Sequence, residues 1–70
     1  MTINKIIAEQ IRTRRKAMGL NQTELSEKIG AGCAKSVSLW ETQAFLPNLL
    51  NLCALADVFE CSVDELLGRK

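Results

Sequence analysis

Histidine is absent from this 70-residue chain, proline occurs once, and cysteine occurs three times. Without histidine no Ser-His-Asp or Cys-His catalytic arrangement can be assembled, and a structural zinc site would have to draw a ligand from a carboxylate or another chain. Cys33, Cys53 and Cys61 are an odd set that cannot pair completely within one chain, and their spacing fits no CxxC ligand motif. A disulfide scaffold and a metal centre are both disfavoured. No apolar run approaches the roughly 18 residues that a membrane span needs. The start of the chain, with Thr2, Asn4, Lys5 and Glu9 among its isoleucines, lacks the apolar centre of a secretory signal. These absences predict a cytosolic protein with no metal, no cofactor and no membrane segment.

What is present is a globular balance: 47% hydrophobic and 24% charged residues, which excludes a disordered tail or a low-complexity linker. A chain of this length makes one domain, residues 1–70, and buries only about 60% of the surface its unfolded form exposes. So small a core disfavours most enzymes, and the chain is read as a non-enzyme. The formal net charge is only +1, but it is unevenly placed. Residues 1–36 carry seven basic and three acidic side chains, a net of +4, and the remainder a net of −3. One half can lie on phosphate, although a basic helix is also a common solvated face.

Strand-like alternation is missing, so every element is expected to be helical. Ile3, Ile7 and Ile11 recur every four residues, with Ala8 and Met18 extending the same side, and predict an amphipathic helix over about 4–18 that Gly19 stops in the left-handed conformation. Asn21 and Glu24 stand at the spacing of a capping box, with Leu20 placed to staple to Leu25, and open a second helix over 22–29. Val37 and Trp40, three apart, turn inward on a third helix over about 34–42; at that spacing Trp40 reads as core rather than as a stacking platform. Pro47 closes the next loop. Asn48 caps a fourth, mostly buried helix over 49–59, on which Leu49, Leu52, Leu55, Ala56 and Phe59 keep the inward spacing. Ser62 and Glu65 form a second capping box for a fifth helix over 63–67, with Cys61 placed to staple to Leu66 and Gly68 ending the element.

Taken in order, Arg15, Gly19-Leu20-Asn21-Gln22, Leu25-Ser26, Ile29-Gly30, Ser36-Val37-Ser38, Trp40-Glu41-Thr42, Pro47, Leu55-Ala56 and Ser62 to Leu67 resemble the lambda-repressor-like, or XRE-type, helix-turn-helix domain from about Ile7 to Gly68. The resemblance implies an all-α, compact five-helix domain whose second and third helices form the helix-turn-helix, with the third lying in the DNA major groove. It also implies a cytoplasmic protein of prokaryotic or phage origin, nucleoid-associated when bound, that acts on double-stranded DNA as a homodimer.

Residue by residue, Arg15, Asn21, Gln22, Thr23 and Thr42 match the phosphate-contacting positions, and Ala34, Lys35, Ser36, Ser38 and Leu39 the base-reading ones. Gln22 begins the second helix, where free amides and the helix dipole favour an anion; its other reading is a plain first residue of a capped helix. Arg15 matches an arginine that pairs with the glutamate here numbered Glu41, and a structural ion pair is favoured for it over a phosphate contact.

The chain also departs from the pattern. Gly30-Ala31-Gly32-Cys33 makes the turn one residue longer than usual. After Glu41, where a glycine and basic residues commonly follow, stand Gln43, Ala44, Phe45 and Leu46. Losing those basic groups weakens non-specific binding and flattens its salt dependence. Phe45 and Leu46 are either core or a patch for another chain. The function expected is therefore a sequence-specific transcriptional regulator of the phage-repressor type, binding an inverted-repeat operator. The alternative is a protein-interaction module on the same fold with weak or lost DNA binding. Cys33, near a helix start, is open to a redox-switch reading, against the commoner one of an inert free thiol.

Overall fold

The computed structural model describes residues 2–30 and 33–69. Ala31 and Gly32 fall outside them, and with them the extra residue of the longer turn. Five helices follow in chain order: α1 (Ile3–Ala17), α2 (Gln22–Ile29), α3 (Ala34–Glu41), α4 (Leu49–Phe59) and α5 (Val63–Leu66). Among the described residues there is no strand, and no helix is long and apolar enough to cross a membrane.

The helix ends are set by local hydrogen bonding. Asn21 accepts from the Glu24 amide at 2.7 Å while the Glu24 carboxylate accepts from the Asn21 amide at 2.9 Å, so the expected capping box of α2 is complete. At α5 only half of one forms. Ser62 accepts from the Glu65 amide at 3.1 Å, but the Glu65 carboxylate turns instead to Arg14, 3.3 Å away on α1, because a cation offers it a stronger partner than a neutral amide. Helix α1 starts at Ile3, one residue earlier than the sequence suggests, because Thr2 acts as its N-cap and accepts from the Lys5 amide.

Every helix is followed by a left-handed residue, Gly30 (φ 72°) among them after α2, and at the ends of α1, α3, α4 and α5 the two crossing amide bonds of a Schellman motif are seen among the described residues. Gly19 (φ 71°) and Gly68 (φ 74°) fill that position after α1 and α5, but Gln43 (φ 68°) and Glu60 (φ 55°) fill it after α3 and α4. Gln43 therefore holds a conformation that favours glycine.

The core is built from Ile7, Ile11, Leu25, Val37, Trp40, Leu55, Ala56, Phe59 and Leu66. Ile11, Leu25, Val37, Leu55 and Leu66 lose all contact with solvent, each contributing about 1.5–3 kcal/mol from burial. Trp40 is in the core, as its spacing with Val37 predicts. Helix α3 lies against both α1 and α2, α4 packs on α1, α2 and α5, and α5 closes against α1.

Three apolar residues read as inward-facing are corrected. Ile3 and Met18 are exposed because α1 runs past the core at both ends. Leu49 is 71% exposed, since the first turn of α4 projects beyond the helices beneath it and only Leu52, Leu55, Ala56 and Phe59 reach the core side.

Candidate nucleic-acid interface

At the junction of α1, α2 and α3 sits one carboxylate. Glu41, the last residue of α3, has a side chain only 1% exposed. Arg15 of α1 grips it with two hydrogen bonds, Nε to Oε2 at 2.7 Å and Nη2 to Oε1 at 3.0 Å, and donates a third from Nη1 to the Leu20 carbonyl at 2.8 Å. Gln22, first residue of α2, donates from Nε2 to Glu41 Oε1 at 3.3 Å. Arg12 completes the cluster from its solvent side, with Nε 3.6 Å from Oε1 and Nη2 donating to the Glu41 carbonyl at 3.5 Å.

Burial by itself pushes the Glu41 carboxyl up, but the hydrogen bonds from Arg15 and Gln22 and the charges of Arg15 and Arg12 outweigh it and hold the group below the usual carboxylate range. The same contact, led by the hydrogen bond to Glu41, raises the Arg15 pKa further above its already high value. Both charges are thus fixed at neutral pH. The cluster locks the start of α2 to the end of α3.

Arg15 is directed inward, its side chain 12% exposed and its guanidinium committed to Glu41 and Leu20. Gln22 is half-buried and shares its amide with Glu41. Asn21 and Thr23 are exposed on either side of it. The capping box satisfies the amides of Asn21 and Glu24, which leaves those of Gln22 and Thr23 at the open end of the helix.

On α3 the buried residues Val37, Trp40 and Glu41 define one face, and at helical spacing the opposite face is centred on Lys35, Ser38 and Leu39. Lys35 is exposed; Ser38 and Leu39 are half-buried, as are Ala34 and Ser36 on the flanks, so Ala34 and Leu39 are less open than the sequence suggests. Thr42 is exposed, but its hydroxyl donates to the Leu39 carbonyl at 3.3 Å. The phosphate-matching residues are spread over α1 (Arg15), the start of α2 (Asn21, Gln22 and Thr23) and the end of α3 (Thr42), whereas the base-reading ones all lie on α3, where about 9 Å of helical rise separates Lys35 from Glu41.

Arg12 was not singled out by sequence reasoning, although it stands three residues before Arg15 on the same side of α1. That spacing is the signal that could have found it. Cys33 is the exposed N-cap residue of α3; the backbone amides of Ser36 and then Lys35 draw its thiol below the ordinary value. Among the described residues no three His, Cys, Asp or Glu side chains lie together as a metal site.

Two closely packed helices, the first opened by a capping box and the second showing an outward polar face, define a helix-turn-helix domain. Residues 11–66 match the helix-turn-helix family, and the chain belongs to it, in its lambda-repressor-like branch. It is 36% identical over 63 residues to the cryptic phage CTXphi transcriptional repressor RstR of Vibrio cholerae serotype O1, and equally to repressor protein C2 of Salmonella phage P22. Each match covers 90% of this chain, but only 55% of the first relative and 29% of the second. The fold is similar to that of the P22 c2 repressor crystallised with a synthetic operator in the presence of Tl+: the TM-score is 0.84 and the identity 36%, covering 91% of this chain and 96% of that one.

Proposed function

We propose that this chain is the DNA-reading domain of a phage-type transcriptional regulator, which binds double-stranded DNA in a sequence-specific manner in the cytoplasm and acts as a dimer on an inverted repeat. The observation that carries the reading is the Glu41 cluster. It fixes α3 against the start of α2, leaving the Lys35, Ser38 and Leu39 face outward, on a backbone similar to that of a repressor solved on its operator.

In this reading the Gln22 side chain, together with the open backbone amides of Gln22 and Thr23, meets a phosphate, with Asn21 and Thr42 as companion contacts, and fixes the register of the domain on the duplex. Lys35 donates to guanine acceptors, Ser36 and Ser38 serve base edges, and Ala34 and Leu39 meet thymine methyls. Arg15 acts indirectly by holding Glu41. A single domain of this size buries too little surface for tight specific binding; two copies on half-sites about 34 Å apart double the contact.

The test is selection of bound sites from a random duplex pool at two salt concentrations. An enriched palindromic motif is the expected result, with a modest salt slope because few basic groups face the backbone. Uniformly weak binding with no enriched motif overturns the reading.

A further inference from the structure

One oxygen of the buried carboxylate is oversupplied with donors. Glu41 Oε1 faces Arg15 Nη2 at 3.0 Å, Gln22 Nε2 at 3.3 Å and Arg12 Nε at 3.6 Å, while Arg15 Nε bonds Oε2 at 2.7 Å. A carboxylate oxygen has two lone pairs, so three donors cannot all bond it well. Arg15 takes the short contacts, Gln22 is held more loosely, and Arg12 Nε forms an ion pair without a hydrogen bond.

Arg12 is therefore surplus to Glu41. Arg15 and Glu41 already neutralise each other, the Arg12 side chain is 52% exposed against 12% for Arg15, and most of the five N–H donors of its guanidinium stay free for another acceptor. Glu9, one turn earlier on α1, lines the same cleft of about 180 Å³ together with Thr13 and Gln43, but among the described residues it forms no ion pair with Arg12. Arg14, by contrast, is spent on Gln10 and Glu65.

Placement adds to charge. Arg12 Nε and Gln22 Nε2 both lie within 3.6 Å of the same oxygen, so they are no more than about 7 Å apart, a gap that one phosphate spans when two of its oxygens each accept at about 2.8 Å. The segment after α3 offers no substitute cation: residues 42–56, where Phe45 and Leu46 stand exposed, contain no charged side chain.

We infer that Arg12 and Gln22 clamp one phosphate of the duplex between them, Arg12 supplying the charge and Gln22 a neutral donor, while Arg15 alone keeps Glu41. The exchange strands nothing. Glu41 gives up its two longest side-chain contacts and retains both bonds from Arg15, and each released donor gains a charged acceptor. The inference rests on the proposed DNA reading, which brings a phosphate to the open amides of Gln22 and Thr23.

Anisotropy titrations on a mixed-sequence duplex between about 0.05 and 0.3 M salt test it, because each neutralised phosphate contributes about 0.9 to the log-log slope. All variants are compared where circular dichroism shows them folded. Arg12→Gln should lower the slope by about 0.9 and weaken binding at least about threefold at low salt, and Arg12→Lys, which keeps the charge, should keep the slope. Lys28→Gln removes the same charge from the far end of α2 and should leave the slope nearly unchanged. Gln22→Ala should cost less in the Arg12→Gln background than in the parent, since both residues act on one phosphate. Urea midpoints without DNA should move little for Arg12→Gln, because Arg15 still serves Glu41. A slope untouched by Arg12→Gln, an equal fall for Lys28→Gln, or additive losses with Gln22→Ala overturns the inference and leaves the DNA reading standing. A parent chain that binds no duplex at any salt overturns that reading and the inference with it.

Discussion

Arg15 and Glu41 lie 26 residues apart in sequence and meet in a bidentate pair whose carboxylate is 1% exposed and whose guanidinium is 12% exposed. The pair joins α1 to α3, and Gln22 adds α2. Because burial desolvates both charges, the energetic weight of this contact lies in what is stranded when one partner is lost.

Arg15→Ala and Glu41→Ala are each expected to destabilise the folded chain by about 3 kcal/mol or more, against under about 1 for an exposed ion pair such as Arg14–Glu65. Trp40, the single tryptophan and 5% exposed, reports unfolding in urea. The double mutant should lose much less than the two single losses added together; additive losses would show that the pair is not coupled.

The pH dependence has a definite sign. Glu41 titrates below its unfolded value when folded, so its contribution is complete above the ordinary glutamate pKa of about 4.3 and is lost as the pH falls through the folded value. Urea midpoints should therefore be flat at neutral pH and fall in acid. Glu41→Gln, already weaker at neutral pH, should show a shallower acid decline than the parent.

Gln43 and Glu60 occupy left-handed positions that disfavour side chains. Gln43→Gly and Glu60→Gly should each raise stability by about 0.5–1 kcal/mol, the relief of strain exceeding the entropy glycine adds to the unfolded chain. Gly68→Ala should do the reverse and by more, because a Cβ there would combine that strain with an approach of 2.9 Å to Ile6 Cγ2. Thermal midpoints of the three variants test the ordering.

On DNA, Lys35→Ala is expected to cost about 1–3 kcal/mol on the preferred site and little elsewhere, whereas Gln22→Ala should weaken all sequences alike by about 1 kcal/mol. Gln22 also serves Glu41, so its titrations need conditions where circular dichroism shows the variant fully folded. Equal loss on all sequences for Lys35→Ala would remove it from the base-reading set.

The helix ends were legible because caps are local: Asn21 with Glu24, Asn48, Ser62 and the stop at Gly19 each act within a few residues. Spacing likewise placed Val37, Trp40, Leu55 and Phe59 in the core. The Arg15–Glu41 pair was reached through resemblance, since no local pattern connects positions on two separate helices.

Only the tertiary structure decided where competing partners went. Glu65 stands at the capping-box spacing from Ser62 but pairs with Arg14; Gln22 turned to Glu41, and Arg12 joined it. Leu49 repeats the spacing of buried leucines yet is exposed, because periodicity fixes which side of a helix is apolar but not how far along its length the neighbouring helices extend.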